Sequence, residues 1–208
     1  MREPTLAEKI ADELAHRIVI GDLKPGERLR QEVYAHEFNT SHVPIREAFL
    51  RLEIRKLAIS EPRRGMRVAP LERSDAREIV RMRGALEVMA IRTQKGRPHR
   101  KQLAKIEAAL KAGDEAEDLV AWEAANRAFH TSLAELSLMP RLVSAVVELN
   151  VAFSREVFAQ ARNAHWQPRS NHDHQRIYDA LIQGEIEAAA QLLESHIWAG
   201  ERHIALAV

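Results

Sequence analysis

The fold of the N-terminal part is indicated most clearly by residues 41–48, Ser41-His42-Val43-Pro44-Ile45-Arg46-Glu47-Ala48. Asn39 and Thr40 before it favour a turn, and Ser41 is a residue type that often caps helix N-termini. Pro44 falls within the first turn of the helix, where its missing N–H does no harm. The pattern therefore predicts a helix that begins after Ser41 and runs to about Lys56.

Two further helices are predicted upstream of this stretch. Thr5-Leu6-Ala7-Glu8 is a capping-box pattern, and the apolar residues behind it fall on one helical face: Ile10, Leu14, Ile18 and Ile20. Gly21 would close that helix, and Lys24-Pro25-Gly26-Glu27 is typical of a turn. A short second helix is expected from about Arg30 to Phe38.

A β-hairpin is predicted downstream. Leu57–Ser60 and Met66–Ala69 are short β-like runs, and the segment between them is rich in turn residues and charge: Glu61-Pro62-Arg63-Arg64-Gly65. Three helices followed by a hairpin form a winged helix-turn-helix. Residues 41–70 carry seven Lys or Arg against three Asp or Glu, an excess that suits DNA phosphates, although charge alone would also fit a solvated face.

From about Asp75 onward the chain favours helix throughout. Breaks are predicted at turn-forming segments: Lys95-Gly96-Arg97-Pro98, Gly113, Met139-Pro140, Gln167-Pro168 and Gly184. The short connections predict an all-α antiparallel bundle of roughly six helices. Pro70 and the polar stretch Glu72–Asp75 mark a boundary, so we expect a mainly α protein with domains at 1–70 and 71–208.

The composition excludes several classes of protein. The 208 residues are 46% hydrophobic and 29% charged, which is ordinary for a globular chain. No apolar run approaches the roughly 18 residues of a membrane span, and no apolar signal region follows Met1. We therefore expect a cytoplasmic protein without membrane association. The lack of cysteine excludes disulfides and thiolate metal sites.

Residues 11–70 resemble the winged helix-turn-helix of the GntR family of bacterial repressors. The segments that carry the resemblance are Gly21-Asp22-Leu23-Lys24-Pro25-Gly26-Glu27-Arg28-Leu29, the stretch 41–48 and Arg64-Gly65. The resemblance implies a homodimer that binds double-stranded operator DNA, usually as a repressor. It also implies a set of DNA-contacting residues: Ser41, His42, Val43, Pro44, Arg46, Arg64 and Gly65.

Three positions depart from the family pattern. His42 stands where relatives usually carry an arginine that suits guanine, and Glu32 stands where many carry another arginine. Lys56 replaces the usual glycine before the wing. The operator sequence therefore does not carry over from relatives, and His42 either contacts a base or faces solvent.

Residues 73–206 resemble the FCD domain of the FadR-like branch of this family. The matching segments are Arg81-Met82-Arg83-Gly84-Ala85-Leu86-Glu87, Asn126-Arg127-Ala128-Phe129-His130, His174-Gln175-Arg176-Ile177-Tyr178-Asp179-Ala180-Leu181 and Glu194-Ser195-His196-Ile197. The resemblance implies a small effector, commonly a carboxylate, and four ligands for a divalent metal: Asn126, His130, His174 and His196. Zinc suits this set best, with nickel or manganese as alternatives. Arg83 is implied to bind the acidic effector.

The residues themselves fit a buried site. Asn126 and His130 are spaced i, i+4 on one helix, and His174 and His196 lie among apolar residues on two later helices. The alternative is that these are core histidines held by hydrogen bonds. Asn126 is a neutral amide where some relatives carry aspartate, so the site is one negative charge short and weaker metal retention is expected.

Other side chains have simpler roles or open alternatives. Arg83 could instead form a salt bridge with Glu87 at i+4. His172 is expected at the surface. The three tryptophans are expected in the core or in a cavity wall: Trp122, Trp166 and Trp198.

Two rival functions are open. His172-Asp173 is an HD dipeptide, which is found in metal-dependent phosphohydrolases with helical domains. Because that interpretation leaves the N-terminal half unexplained, we expect a regulator and not an enzyme. The second rival is a metal-free regulator that senses its effector through Arg83 alone.

Overall fold

The computed structural model describes residues 3–161 and 171–206, with side chains up to residue 200. The chain divides into two compact units, Met1–Leu71 and Glu72–Val208. Both are mainly helical, and the N-terminal unit adds a three-stranded sheet that forms the wing, so the predicted fold class is confirmed. Within the described residues, no helix is both long enough and apolar enough to span a bilayer.

From residue 3 onward, the N-terminal unit contains three helices and three strands: α1 (Leu6–Ile20), β1 (Arg28–Leu29), α2 (Gln31–Glu37), α3 (His42–Ile54), β2 (Ala58–Glu61) and β3 (Gly65–Val68). Thr5 and Glu8 form the predicted capping box, and Gly21 ends α1 in a left-handed conformation. The strands are antiparallel in the order β1-β3-β2. Strand β1, which pairs Leu29 with Met66, is too short to show the alternation that predicts a strand.

The predicted end of α3 is slightly too late. The helix ends at Ile54, because Lys56 adopts a left-handed conformation with φ 56°. The N–H of Leu57 donates to the carbonyl of Leu52 at 2.9 Å, which closes the last turn. Glycine adopts this backbone conformation more readily than other residues do. The conformation therefore accounts for the glycine that the family pattern has where this chain has Lys56.

The C-terminal unit has six helices within its described residues, as predicted: α4 (Arg73–Arg92), α5 (Arg100–Asp114), α6 (Leu119–Glu135), α7 (Pro140–Ala161), α8 (Asn171–Gln183) and α9 (Ile186–Leu206). Their core includes Ile91, Phe129 and Ile177. The break predicted at Gly113 separates α5 from α6, but it begins slightly later in the chain. α5 continues to Asp114, and Gly113 is buried in its last turn close to Ala125. The break predicted at Gln167-Pro168 lies outside the described residues.

Candidate functional site

The first turn of α3 and the tip of the hairpin present the predicted DNA-contacting residues at the surface. Six of them are exposed, namely Ser41, His42, Val43, Arg46, Arg64 and Gly65, while Pro44 is half-buried. Ser41 precedes α3 without a side-chain capping bond, so its hydroxyl is not committed to the helix. Val43 is an apolar side chain in solvent, of the kind that can contact a thymine methyl group.

Ion pairs distinguish the arginines of α3 and of its C-cap residue, Arg55. Arg51 Nη2 lies 3.1 Å from a Glu8 carboxylate oxygen, and Arg55 Nη1 lies 2.7 Å from Asp12 Oδ1, so both tie α3 to α1. Arg46 forms no ion pair with any residue in the described part of the chain. Its charge is therefore available to a ligand such as DNA.

Three histidines from α6, α8 and α9 meet inside the C-terminal unit. One ring nitrogen of each lies within 4.8 Å of the others, and Nε2 of His174 is 3.2 Å from Nε2 of His196. His130 and His174 are buried, and the His196 side chain is 13% exposed. Asn126 lies one turn before His130 on α6 and is also buried. The predicted histidine ligands therefore converge, with Asn126 on the same face of α6 as His130.

Carboxylates outside the cluster face two of the rings, and that of Glu87 lies within hydrogen-bonding distance. Glu87 Oε2 lies 2.5 Å from His130 Nδ1, and Asp173 Oδ2 lies 3.6 Å from His196 Nδ1. A proton on Nδ1 that faces a carboxylate leaves the lone pair on Nε2, which is the tautomer a metal ligand needs. Burial is the largest cause that lowers the pKa of all three histidines, that of His196 to about 4, so the rings are neutral near pH 7.

This arrangement fits a divalent metal ion. Two nitrogens bound to one tetrahedral zinc are about 3.3 Å apart, because each lies about 2.0–2.1 Å from the ion. The 3.2 Å between Nε2 of His174 and Nε2 of His196 is close to that value. Two lone pairs that face each other at this distance repel unless a proton or a cation lies between them. The donor set of neutral imidazoles with a nearby amide oxygen suits zinc or nickel.

Two family models match the chain. Residues 6–68 match the model described as "Bacterial regulatory proteins, gntR family", and residues 78–199, more than half of the chain, match the FCD domain. The chain belongs to the GntR family and carries an FCD domain. Its function is therefore that of a DNA-binding transcriptional regulator.

The relatives of this GntR-family protein are also transcriptional regulators. The chain is 29% identical to the "Probable D-xylose utilization operon transcriptional repressor" of Paenarthrobacter nicotinovorans, over 93% of this chain and 86% of that protein. It is 29% identical to the transcriptional regulator McbR of Escherichia coli K12, over 72% and 69% of the two chains. A solved GntR regulator structure from Rhodococcus sp. RHA1 matches with a TM-score of 0.84 at 25% identity, over 97% of this chain and 98% of that one.

These matches exclude one of the two rival functions. The domains and relatives are those of transcriptional regulators and not of enzymes, so the phosphohydrolase interpretation of His172-Asp173 is wrong. His172 is 83% exposed, as predicted for a surface residue.

Arg83 of the regulator forms the salt bridge with Glu87 that the sequence offered as an alternative to effector binding. It also lies near the histidines. Its Nε is 3.0 Å from Glu87 Oε1, and its guanidinium lies 4.7 Å from the centre of the Phe153 ring. Arg83 is buried, and its positive charge contributes to the lowered pKa of all three histidines. Since a guanidinium carries five N–H donors, the contact with Glu87 leaves others for an anion.

The contact between Glu87 and His130 was not predicted. Glu87 is fully buried, and its two carboxylate oxygens face different partners, Arg83 and His130. The sequence signal that could have indicated the burial of Glu87 is its position on the apolar face of α4. Val80 and Ile91 lie on the same face, at i−7 and i+4. An acidic residue on such a face needs buried partners.

The tryptophan predictions have different outcomes. Trp122 is buried, and its indole N–H donates to Asn171 Oδ1 at 2.9 Å. The prediction for Trp198 is wrong, because the side chain is 37% exposed. Ile197, one residue earlier on α9, occupies the buried face of that helix. Trp166 lies outside the described residues.

A second buried polar group, missed by the sequence analysis, lies between α6 and α7. Glu123 is buried, its Oε1 accepts a hydrogen bond from the Ser154 hydroxyl, and its Oε2 lies 3.0 Å from Arg127 Nη1. Burial raises the pKa of Glu123 to about 7, against the opposing effect of the Arg127 charge. The only sequence signal is its helical spacing from Asn126 and His130.

The raised pKa of Glu123 makes folding stability depend on pH. The folded chain holds this proton up to a pH of about 7, whereas the unfolded chain releases it near 4.5, so stability falls as pH rises through this window. We expect the Glu123→Gln variant, which cannot lose the proton, to lose less unfolding free energy than the wild type between about pH 5 and about pH 8. Arg83 and Arg127, the charges that act on Glu123, are unchanged in the variant.

Urea unfolding of both proteins at the two pH values, followed by tryptophan fluorescence, measures this difference. The three tryptophans all lie in the C-terminal unit, so the signal reports on the unit that contains Glu123. Equal losses in the two proteins would show that Glu123 titrates at an ordinary pKa.

Proposed function

We propose that a small carboxylate effector, bound beside a divalent metal in the FCD domain, controls the affinity of this regulator for its operator. The buried cluster of three neutral histidines carries the proposal. The proposed metal ligands are Asn126, His130, His174 and His196, with zinc as the favoured ion and nickel or manganese as alternatives. A bound metal would polarise the carboxylate of the effector.

The FCD domain offers a second contact for the same carboxylate. Arg83 is held in place by Glu87 and is near enough to the histidines to influence their pKa values. A buried guanidinium forms strong, directional hydrogen bonds with a carboxylate. Glu87 also places a buried carboxylate behind His130, which partly offsets the charge that Asn126 does not supply.

On the DNA side, we propose that residues 1–70 bind the operator and residues 71–208 bind the effector. The contacts are assigned to Ser41, His42, Val43, Pro44, Arg46, Arg64 and Gly65, whose surface position supports the assignment. We further propose a cytoplasmic homodimer that acts as a repressor, since two-fold proteins bind pseudo-palindromic sites and one relative is named a repressor.

Effector binding would act through the helices that carry the histidines. A ligand held between His130, His174 and His196 contacts α6, α8 and α9 together, so it favours one packing of these helices. A coupling of about 1–3 kcal/mol between effector and operator changes operator occupancy several-fold.

Metal content tests the proposed centre. The full chain, purified without a histidine tag, is expected to hold about one equivalent of zinc, nickel or manganese, and the His174→Ala variant is expected to lose it because a buried ligand is removed. His172→Ala is the matched control, since it removes a solvent-exposed histidine from the same helix. Elemental mass spectrometry gives the metal content, and circular dichroism checks that each variant is folded.

Two outcomes would contradict the metal centre. Metal that stays in His174→Ala would place it elsewhere, and a wild type without metal would favour the alternative in which Arg83 alone recognises the effector.

A further inference from the structure

Large apolar side chains lie exposed along one side of α3. Val43, Leu50 and Ile54 each leave more than half of their surface in solvent, and their spacing of i, i+7 and i+11 places them on one face of the helix. Ile45 and Leu52, on the opposite side, are fully buried in the core of the N-terminal unit. Single exposed apolar residues are common, but several on one face of a helix indicate a surface that contacts a partner.

Two charged residues stand between Val43 and Leu50 on the same side of α3. Arg46 and Glu47 follow Val43 by three and four residues, and both are exposed. Neither has an ion-pair partner within residues 3–161 and 171–200. The four residues form what we call the α3 strip, which offers a cation, an anion and two apolar side chains to a partner: Val43, Arg46, Glu47 and Leu50.

All four residues of the α3 strip line one groove of about 460 Å³. Phe49 of α3 and Met66 of β3 form an apolar part of its wall. Glu53 also lines the groove, but its Oε1 accepts a hydrogen bond from the N–H of Ser60 at 3.3 Å. A ligand in this groove can therefore contact the apolar and the charged members of the strip together.

The mixed chemistry of the α3 strip matches the edges of DNA base pairs. Phosphates attract cations only, whereas the major groove presents acceptors on guanine, an amino donor on cytosine and a methyl group on thymine. Arginine, glutamate and apolar side chains suit these three kinds of group. Further exposed cations, which suit the phosphates, lie on the hairpin at Arg63 and Arg64. The occupant that these charges favour is the major groove of DNA.

We propose that Leu50 is a specificity-determining residue that contacts the C5-methyl group of a thymine in the operator. The proposal rests on the proposed function, because that function brings the first turn of α3 to the DNA. The seven residues from Val43 to Leu50 span about 10 Å, and successive base pairs are about 3.4 Å apart. Leu50 therefore contacts a different base pair from Val43 and extends the DNA-reading surface along α3 by two turns.

Replacement of single thymines by deoxyuridine tests this contact, because it removes the methyl group and leaves base pairing intact. The duplex is one that the full wild-type chain selects from a random pool, and fluorescence anisotropy gives the affinities. At one thymine the replacement is expected to weaken wild-type binding about fourfold, as for the loss of one buried methyl group. The Leu50→Ala variant is expected to bind the thymine and uracil forms of that position equally.

Val43→Ala and Ile54→Ala are matched controls on the same helix. Val43→Ala is expected to lose its sensitivity to uracil at a different thymine and to keep it at the thymine assigned to Leu50. Ile54 is as exposed as these residues, but it lies one turn beyond Leu50 and does not line the groove, so Ile54→Ala is expected to keep the wild-type pattern. Circular dichroism checks that each variant is folded.

Three results would overturn the role of Leu50. They are wild-type binding that is insensitive to uracil at every thymine, a selected half-site without thymine, and a Leu50→Ala variant that keeps every uracil effect. The last would assign the exposed leucine to a partner other than DNA. Arg46→Ala, measured on the same duplex, reports separately on the proposed function. If it weakens binding while Leu50→Ala keeps every uracil effect, α3 contacts the operator and only the role of Leu50 is wrong.

Discussion

The Glu87→Ala variant is expected to lose about 3–5 kcal/mol of unfolding free energy, the usual loss when one partner of a buried ion pair is removed. Glu87 is fully buried between Arg83 Nε at 3.0 Å and His130 Nδ1 at 2.5 Å. Its removal leaves the Arg83 charge uncompensated and one ring nitrogen unpaired. Urea unfolding in the presence of a chelator, followed by tryptophan fluorescence, measures the loss in the unit that contains Glu87.

Glu187→Ala provides the matched control. Glu187 pairs with Arg92 at 2.7 Å, but both side chains are about half exposed and solvent screens the pair, so its loss is expected to change the unfolding free energy little. Similar losses in the two variants would show that burial of Glu87 does not determine its contribution.

Glu87→Gln tests the positioning role of the same side chain. Glutamine keeps the shape of glutamate but removes the charge that favours the Nδ1–H tautomer of His130. Zinc affinity, measured by competition with a chelator, is expected to fall about 10–100-fold, the usual effect of losing such an outer partner. Unchanged zinc affinity would mean that Glu87 serves only the stability of the helix bundle.

Elements specified by local chemistry were predictable from the sequence. Thr5 and Glu8 cap α1 through bonds within one turn, and Gly21 ends that helix through its own backbone freedom. Lys56 shows the limit of this logic. Lysine rarely adopts a positive φ, so nothing in its residue type indicates that α3 ends before it.

The site was predictable only in part for a related reason. His174 and His196 lie among apolar residues at helical spacing, and the family resemblance put them in one set with His130. Glu87 and Glu123 are acidic residues, which are usually exposed, and their burial depends on partners from other helices. Such partners, including Ser154 on α7, become visible only when the helices are packed together.

The Arg46→Ala variant is expected to bind the operator about 5- to 150-fold more weakly, which corresponds to the loss of a good base contact. Arg46 is exposed on α3, close to the N-terminal turn that is proposed to enter the major groove, and no ion pair within the described residues holds it. Fluorescence anisotropy with a duplex selected from a random pool by the wild-type chain gives the affinity.

Arg55→Ala is the control for Arg46→Ala, because it removes the same charge from the residue that directly follows α3. Arg55 is engaged with Asp12 at 2.7 Å, so its loss is expected to change operator affinity little. The salt dependence then identifies the contact that Arg46 makes. A base contact weakens binding to the selected duplex more than to a random one, whereas a phosphate contact weakens both alike and lowers the salt slope by about 1. Equal affinities of Arg46→Ala and the wild type for the selected duplex would exclude Arg46 from the DNA interface.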